Sequence, residues 1–459
     1  MLPDLSDTIV ALATPSGEGG IAVVRLSGPD CVSIAQNVTK GRIDECVNTP
    51  RMMILVNLVD YRDEPLDDAL VVFFKSPKTY TGEDSIEFHC HGGEFLSHKL
   101  IESLVHFGAR RAEPGEFTMR AFLNGRIDLT EAEGILSLIT CSASVSHSRA
   151  ISLLRGGLKE KVEKLRDDMI ELIAPFEALI DHPEDDISDN SSPLDLNKLS
   201  EIKNAVDDLA SGYIETKDLD SGLKIAIIGK PNVGKSSLMN RILMKHRVLV
   251  HHSPGTTRDV ISEEILIGEG RFKIFDTAGL RTDAGEIEQA GIELTKEALQ
   301  SADVALVVFD LSVPLTDEDS RIIEDISHKS CIICLNKSDL EQVWRITDYP
   351  KLFSNQKSIQ VSAKTGAGIE ELLDELRQIY IENSSDIKST TPVLKRHYGH
   401  LVRVLESLEK AQEAVRQKLA SDAVAIDLRA ALEEILRITG ESYDDTLLEE
   451  IFSSFCIGK

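Results

Sequence analysis

The residues with the clearest chemical potential lie in one loop bounded by glycines, Gly229-Lys-Pro-Asn-Val-Gly234-Lys235-Ser236-Ser237. Glycines at both ends allow the backbone to wrap a phosphate with its N–H groups. The ammonium of Lys235 can reach β- and γ-phosphates, and the hydroxyl of Ser236 is a ligand for Mg²⁺. An apolar run precedes the loop and a helix-like segment follows it, and a helix N-terminus favours an anion. The pattern therefore predicts a nucleoside triphosphate site.

Three further motifs, each after an apolar run, indicate which base is bound. Asp276-Thr-Ala-Gly279 offers a carboxylate for the water shell of Mg²⁺ and a glycine N–H for the γ-phosphate. In Asn336-Lys337-Ser338-Asp339, the carboxylate of Asp339 can accept hydrogen bonds from N1–H and the exocyclic amine of guanine, a donor pair that adenine lacks. In Ser362-Ala363-Lys364, the N–H of Ala363 can meet guanine O6 and would be mismatched against an amino group. The four motifs together predict GTP binding with Mg²⁺.

The elements that must position these motifs indicate a multidomain α/β fold. Short β-like runs with two helical stretches predict an N-terminal α+β domain over residues 1–120. Helical periodicity over residues 121–219 and 384–459 predicts one helical domain built from two flanks. Residues 220–383, which carry the nucleotide motifs, are expected to form an inserted Ras-like P-loop G domain with a mostly parallel sheet. Nucleotide-driven motion would then act on the helices around the insertion.

Within the helical flanks, the spacing of apolar residues makes more detailed predictions. A stripe from Ile151 to Ile173 predicts one long amphipathic helix, and a second helix is expected from about Asn197 to Lys217. The polar segment Glu382–Asp386 is expected to mark the exit from the G domain. Cys331 and Cys334 form a CxxC pattern, but they lie on a predicted strand, which favours core packing over metal binding.

Length, composition and charge limit the classes of protein to which this sequence can belong. The chain has 459 residues, of which 42% are hydrophobic, and this length predicts about three domains. Without a run of about 18 apolar residues or a basic, apolar leader, the sequence predicts a cytoplasmic protein with no membrane association. Its seven cysteines, an odd number, do not predict a disulfide framework. The net charge of −27 argues against a general nucleic-acid coat, so any RNA contact must be local.

Three local features leave alternatives open. Basic residues cluster near 149–166 and 395–418, where solvated helix faces balanced by glutamates are favoured over an RNA surface. His89 and His91 lack a third ligand at metal-site spacing, so a metal is disfavoured. The glycine-rich loop at residues 14–20 and the segment near these histidines favour a small-molecule pocket instead.

The whole chain resembles the MnmE or TrmE family of tRNA modification GTPases, which act on the wobble uridine. Besides the nucleotide motifs, the resemblance rests on Asp7–Pro15, Tyr80–Glu87, Pro114–Thr118, Arg120–Asn124, Gly255–Asp259 and Cys456–Lys459. It implies a homodimer that acts on tRNA together with an FAD-containing, NADH-using partner protein. It also implies addition of a carboxymethylaminomethyl or aminomethyl group to C5 of the uridine, with the one-carbon unit taken from 5-formyl- or methylene-tetrahydrofolate.

The resemblance assigns roles in the N-terminal domain and at the chain end. Arg25, Glu87, Arg126 and Lys459 match positions around the folate. Arg126 stands where some members have lysine, so its charge is kept but its geometry differs. Cys456 matches the terminal cysteine implicated in modification, and its alternative interpretation is an inert, packed thiol.

The G domain departs from Ras-like proteins after the second motif, where Leu280 replaces the glutamine that orients water. The resemblance supplies substitutes, namely Glu288 acting on the water network and Arg281 as a helper. It also implies K⁺ binding by Asn232, His251 and Ser253, with Thr257 on Mg²⁺ and Thr256 beside it in the switch. GTP hydrolysis is therefore expected to be K⁺-stimulated and activated by dimerisation of the G domains.

A different class of protein uses the same nucleotide motifs, namely an RNA-binding, ribosome-assembly GTPase switch without modification chemistry. Such a switch has no need of the N-terminal domain or of Cys456. The modification enzyme is therefore the favoured interpretation. The two are distinguished by the wobble nucleosides of cells that lack the protein.

Overall fold

The computed structural model describes residues 6–141, 143–181, 195–214, 222–246, 262–268, 270–276, 302–325, 330–350, 353 and 356–459. The chain divides into two compact units. The first contains Met1–Thr140, Ala150–Ser211 and Lys395–Lys459, and the second contains Cys141–Arg149 and Gly212–Leu394. The predicted multidomain α/β fold class is confirmed, whereas the domain boundaries at residues 120, 219 and 383 stay predictions.

The first unit begins with a six-stranded sheet in the order β3-β4-β5-β2-β1-β6, antiparallel except for the β1–β6 pair. Its strands are β1 (Ile9–Leu12), β2 (Ile21–Ser27), β3 (Ile54–Val59), β4 (Pro65–Phe74), β5 (Ser85–His91) and β6 (Arg110–Arg111). The helices in this part are α1 (Cys31–Val38), α2 (Ile43–Asn48), α3 (Glu94–His106) and α4 (Glu116–Leu123). Side chains alternate along β2, so that Ala22, Val24 and Leu26 lie in the core. Arg25 therefore points to the opposite face of the sheet.

Helices complete the first unit. They are α5 (Leu129–Thr140), α6 (Ser144–Leu154, shared with the second unit), α7 (Lys159–Asp181), α8 (Leu196–Ser211), α12 (Lys395–Arg416), α13 (Ser421–Thr439) and α14 (Asp445–Ser453). The prediction of one helix through Ile151–Ile173 was wrong, because the helix is interrupted between α6 and α7. Gly156 lies there at φ +79°, a left-handed conformation that interrupts a right-handed helix. The helix expected to reach about Lys217 ends at Ser211.

The second unit has a six-stranded sheet in the order β12-β11-β10-β7-β9-β8, parallel except for the β8–β9 pair. Its strands are β7 (Leu223–Ile228), β8 (Ser262–Ile267), β9 (Gly270–Asp276), β10 (Val304–Asp310), β11 (Cys331–Asn336) and β12 (Lys357–Gln360). Its helices are α9 (Lys235–His246), α10 (Asp317–Asp325) and α11 (Ile369–Ser389), with a 3₁₀ turn at Ile346–Asp348. Every residue of β10 is buried, as expected for a central strand covered on both faces.

Two sequence expectations about the second unit can be compared with the structure. Helix α11 continues through residues 382–386, so the polar segment expected to mark the exit from the G domain is helical, and the exit itself stays a prediction. Cys334 is buried in the core and burial raises the pKa of its thiol to about 12, in keeping with a packing role. No helix among the described ranges is long and apolar enough to cross a membrane.

Candidate functional site

The phosphate loop joins the end of β7 to the start of α9, the arrangement that the sequence predicted. Asn232 lies in it at φ +67°, a left-handed conformation uncommon for a residue with a side chain. The Nζ of Lys235 donates to the carbonyl oxygens of Gly229 (2.7 Å) and Lys230 (2.8 Å). The ammonium therefore lies against the loop backbone, and it is 8% exposed. Residues 236 and 237, both serines, are exposed at the helix start.

Asn336 joins the phosphate loop to the predicted base-recognition segments. Its Nδ2 donates to the carbonyl of Val233 at 2.7 Å, and its Oδ1 accepts from the N–H of Ala363 at 3.1 Å. Close approach is possible because residue 234 is glycine: a Cβ there would lie 2.3 Å from Asn336 Nδ2. Three motifs far apart in sequence thus meet at one buried amide. The sequence did not reveal this role of Asn336, nor that the N–H of Ala363 already has a partner that guanine O6 would have to share.

The base-recognition carboxylate is oriented by a neighbouring motif. Ser362, which is fully buried, donates its hydroxyl to Asp339 Oδ1 at 2.6 Å. That hydrogen bond holds the pKa of Asp339 below its ordinary value, so the carboxylate stays ionised. Asp339 is itself exposed and retains acceptor capacity for the two donors of guanine. Arg241 of α9 donates to the carbonyl oxygens of Ala363 and Lys364, which fixes the last motif.

Several predicted residues cannot be placed. The backbone of Asp276 ends β9 opposite Ile227 of β7. The remaining predicted residues of the switch, the K⁺ site and the catalytic pair lie outside the described residues: His251, Ser253, Thr256, Thr257, Gly279, Arg281 and Glu288. Their roles stay predictions.

A second polar site lies on the sheet of the first unit. Arg25 and Glu87 face each other across β2 and β5, with Arg25 Nε and Nη2 each 2.9 Å from Glu87 Oε1. The guanidinium lies over the rings of Tyr80 (5.4 Å) and Phe117 (5.7 Å). Glu87 Oε2 is also 3.3 Å from His89 Nε2. The structure thus brings together two of the four residues predicted to contact folate.

The other two predicted folate residues lie on flanking segments. Arg126 Nε donates to the carbonyl of Thr79 at 3.2 Å, next to Tyr80. The chain end packs onto β1, because a Cβ at Gly458 would lie 2.1 Å from the carbonyl oxygen of Leu12. Since Ala11, the neighbour of Leu12, pairs with Arg25, the segment that carries Lys459 lies beside the same part of the sheet.

The terminal cysteine is not a packed thiol. Phe455 is buried against a cluster that includes Phe452 and Leu129, whereas Cys456 is exposed. The carbonyl oxygen of Cys456 accepts from the N–H of Lys459 at 3.3 Å. The packed-thiol alternative was therefore wrong about burial. The chemical role of the thiol stays open.

A cavity of about 270 Å³ lies beside the glycine-rich loop of the first unit. Its lining includes Thr14, Ser16, Gly19, Gly92 and Ser97. The sequence predicted a small-molecule pocket at these loops. The structure shows a cavity there but gives no polar constellation that identifies a ligand.

A buried ionic cluster was not predicted, although its members lie in segments that carry the family resemblance. Arg120 is fully buried and contacts Asp7, Glu83 and Glu116. Glu83 in turn accepts from the hydroxyl of Ser27 at 2.9 Å. The available signal was Arg120 itself, a charged residue between Met119 and Ala121 on a mostly apolar helix.

Several described members of the two basic stretches are paired with acidic or carbonyl groups. Arg396 contacts Glu133 through both carboxylate oxygens, at 2.9 and 2.7 Å, and Glu133 Oε2 lies 2.6 Å from His397 Nε2. Arg403 similarly pairs with Glu434 at 2.6 Å. These pairs fit helix faces balanced by glutamates, as the sequence favoured.

Comparison with known proteins covers the whole chain. Residues 8–126 match the family model described as the GTP-binding protein TrmE N-terminus, and residues 129–456 match the MnmE helical domain. The tRNA modification GTPase MnmE of Natranaerobius thermophilus is 39% identical over 455 residues, covering 99% of each chain. That of Thermotoga maritima is 40% identical over 458 residues, covering 99% of this chain and all of the relative. This chain therefore belongs to the MnmE (TrmE) family of tRNA modification GTPases.

Proposed function

We propose that the chain binds GTP between the phosphate loop and Asp339 and hydrolyses it to GDP and phosphate. The observation that carries the proposal is the bridge made by Asn336, which ties the phosphate loop to the base-recognition segments. An exposed, ionised carboxylate at Asp339 selects guanine, and Lys235 neutralises the β- and γ-phosphates. To reach a phosphate, the ammonium of Lys235 exchanges its two loop carbonyls for phosphate oxygens.

Mg²⁺ and K⁺ complete the proposed site. The exposed hydroxyl of Ser236 fits a hard divalent cation, with Thr257 and, through water, Asp276 as the other contributors. Asn232, exposed in the phosphate loop, fits a ligand of K⁺, with His251 and Ser253. When bound, the cations stabilise charge that develops on the phosphates. Because Leu280 cannot orient water, Glu288 is proposed to do so with help from Arg281, once two G domains have dimerised.

The first unit is proposed to bind 5-formyl- or methylene-tetrahydrofolate. Arg25 lies between aromatic rings and is paired with Glu87, which fits a flat, heteroaromatic ligand with hydrogen-bond donors. Arg126 and Lys459 supply cationic groups for the carboxylates of the glutamate tail. When bound, the folate supplies a one-carbon unit. The residues of this chain hold and orient it.

The modification reaction extends the proposal beyond GTP hydrolysis. A homodimer of this chain, with an FAD-containing partner protein, adds a carboxymethylaminomethyl or aminomethyl group to C5 of the wobble uridine of tRNA. Support comes from family membership and from the exposed Cys456 on a segment that docks beside Arg25. The proposed compartment is the cytoplasm. A GTPase switch without modification chemistry has no use for this docked tail.

The test has two independent arms. In the first, the rate of GTP hydrolysis by the purified chain is measured in KCl and in NaCl, with ATP as the control substrate. We expect a faster rate in KCl and little ATP hydrolysis, and equal rates in the two salts would remove K⁺ from the mechanism. In the second, wobble nucleosides are measured by mass spectrometry in cells that lack the protein. Unchanged nucleosides would reject the modification reaction and leave the GTPase switch.

A further inference from the structure

Lys337, in the base-recognition motif, is held by a residue that the motif does not contain. Its Nζ lies 2.5 Å from Oδ2 of Asp310, at the carboxyl end of β10. The two strands bring this about, because Asp310 pairs in register with Asn336, the neighbour of Lys337. Lys337 also has φ +63°, a conformation disfavoured for a residue with a side chain. The ion pair therefore anchors a residue whose backbone needs support from its surroundings.

Three hydrogen bonds fix the position of Asp310. Its Oδ1 accepts from the N–H of Ser312 at 2.8 Å and from the hydroxyl at 2.6 Å. Its main-chain oxygen accepts from Nε1 of Trp344 at 3.0 Å. Burial alone would raise the pKa of Asp310, but the hydrogen bonds from Lys337 and Ser312 outweigh it and hold the pKa below its ordinary value. The side chain of Asp310 is only 6% exposed, so its ion pair with Lys337 is not an ordinary surface pair.

Trp344 is the single tryptophan of the chain. It stacks on Phe353 with ring centroids 6.0 Å apart and contacts Phe309 edge-on at 6.4 Å. It is 4% exposed, so its ring is fixed. A chain of direct contacts therefore runs from this aromatic cluster through Asp310 to Lys337 in the base-recognition motif.

We propose that Asp310 is a positioning residue for guanine recognition: it holds Lys337 in the conformation that completes the base pocket, and Trp344 reports its state. The inference rests on the proposed GTP site. Asp310 acts through Lys337. Its loss therefore weakens binding of the base and leaves binding of the phosphates intact. Guanine preference falls along with affinity, whereas a general loss of structure would weaken GDP and ADP alike.

The test uses the full chain and compares GDP with ADP by calorimetric titration. Asp310→Asn removes the charge and keeps the shape, and Asp317→Asn, at an exposed position of the same unit, is the matched control. For the lost charge-assisted hydrogen bond we expect about a tenfold weaker Kd for GDP in Asp310→Asn. The ratio of ADP to GDP dissociation constants should fall by the same factor. Asp317→Asn should stay within about twofold of the wild type. Asp310→Glu, which restores the charge, should recover part of the preference.

Tryptophan emission gives a second readout. GDP should shift the emission of the wild type, and the shift should shrink in Asp310→Asn. A GDP affinity and base preference of Asp310→Asn within twofold of the wild type would overturn the proposal. If Asp310→Asn does not fold, Ser312→Ala removes one donor to Asp310 and should lower the base preference by about threefold, and an unchanged preference would overturn the proposal. A wild type that binds GDP and ADP equally would instead overturn the GTP site, before any variant is made.

Discussion

Replacing Arg120 with methionine should lower the local stability of the first unit where its chain end, its sheet and α4 meet. The guanidinium is fully buried, and its Nη1 donates to the main-chain oxygen of Asp7 at 2.9 Å. It also contacts Glu83 at 3.2 Å and Glu116 at 3.0 Å. Burial alone would lower the pKa of Arg120, but Glu83 and the other carboxylates outweigh it and raise the pKa. The guanidinium therefore stays positively charged, and it is a cationic partner of the carboxylates of Asp7, Glu83 and Glu116.

The magnitude follows from what remains after the change. Arg110 still contacts Asp7 and Glu116, both at 2.6 Å, so these two carboxylates keep a cationic partner. Glu83 keeps the hydroxyl of Ser27 but loses its cationic partner. Removing one partner of a buried pair costs about 3–5 kcal/mol, and because only one carboxylate is stranded we expect about 3 kcal/mol. Lysine at this position should not restore stability, because it lacks the planar fork.

The assay is amide hydrogen exchange on the full chain, because a protein with two units need not unfold in one step. Protection of β1 and α4 should fall by about 10²-fold in Arg120→Met, which corresponds to about 3 kcal/mol. Arg111→Met, at the exposed neighbouring strand, is the matched control and should leave protection unchanged. Protection in Arg120→Met within about threefold of this control would refute the reasoning.

The remaining predictions concern base choice, modification chemistry and acid stability. Asp339→Asn should move preference from guanine to xanthine nucleotides, whose additional carbonyl requires a donor, and an unchanged preference in a competition titration would contradict the pocket. Cys456→Ser should abolish wobble modification in complemented cells while purified protein hydrolyses GTP at a near-normal rate, since the thiol and the phosphate loop belong to different units; normal nucleosides would exclude a chemical role. Glu133→Gln should destabilise the protein at neutral pH, because Arg396 and His397 lose their anion. Burial would raise the pKa of Glu133, but His397 and Arg396 lower it, so its stabilisation is present above pH 4.5 and fades as pH falls through the lowered pKa. The denaturant midpoint of the variant should therefore lie below that of the wild type at pH 7, and the two midpoints should converge as the pH falls; a constant difference would argue against the charge.

The parts of the site predicted from sequence are those set by short-range spacing. The phosphate loop could be located because its glycines, Lys235 and Ser236 are neighbours in the chain. Asp339 could be assigned because one carboxylate suffices to distinguish guanine from adenine. The bridge at Asn336 could not be predicted, because it depends on which segments follow β7, β11 and β12 at the same edge of the sheet. The ion pair at Asp310 could not be predicted either, because it depends on strand register between β10 and β11.

The helical errors have a different physical origin. The apolar stripe continues in phase across Gly156, so periodicity alone does not reveal that the helix ends there. The left-handed conformation of Gly156 is what separates the two helices. Residues 382–386 are polar and were predicted to mark the exit from the G domain, but a helix can also carry a polar segment. At Gly156 the pattern of hydrophobicity was right and the predicted single helix was wrong, whereas the exit from the G domain at residues 382–386 stays a prediction.

The contact of Gly458 with Leu12 has a consequence for biosynthesis. Leu12 leaves the ribosome 446 residues before Gly458, so at about 5–20 residues per second the two are separated by tens of seconds. During that interval the sheet of the first unit folds without the segment that carries Cys456 and Lys459. A chain whose synthesis stops before Cys456 lacks the segment that packs beside Arg25. Completion of this surface therefore depends on synthesis of Cys456–Lys459.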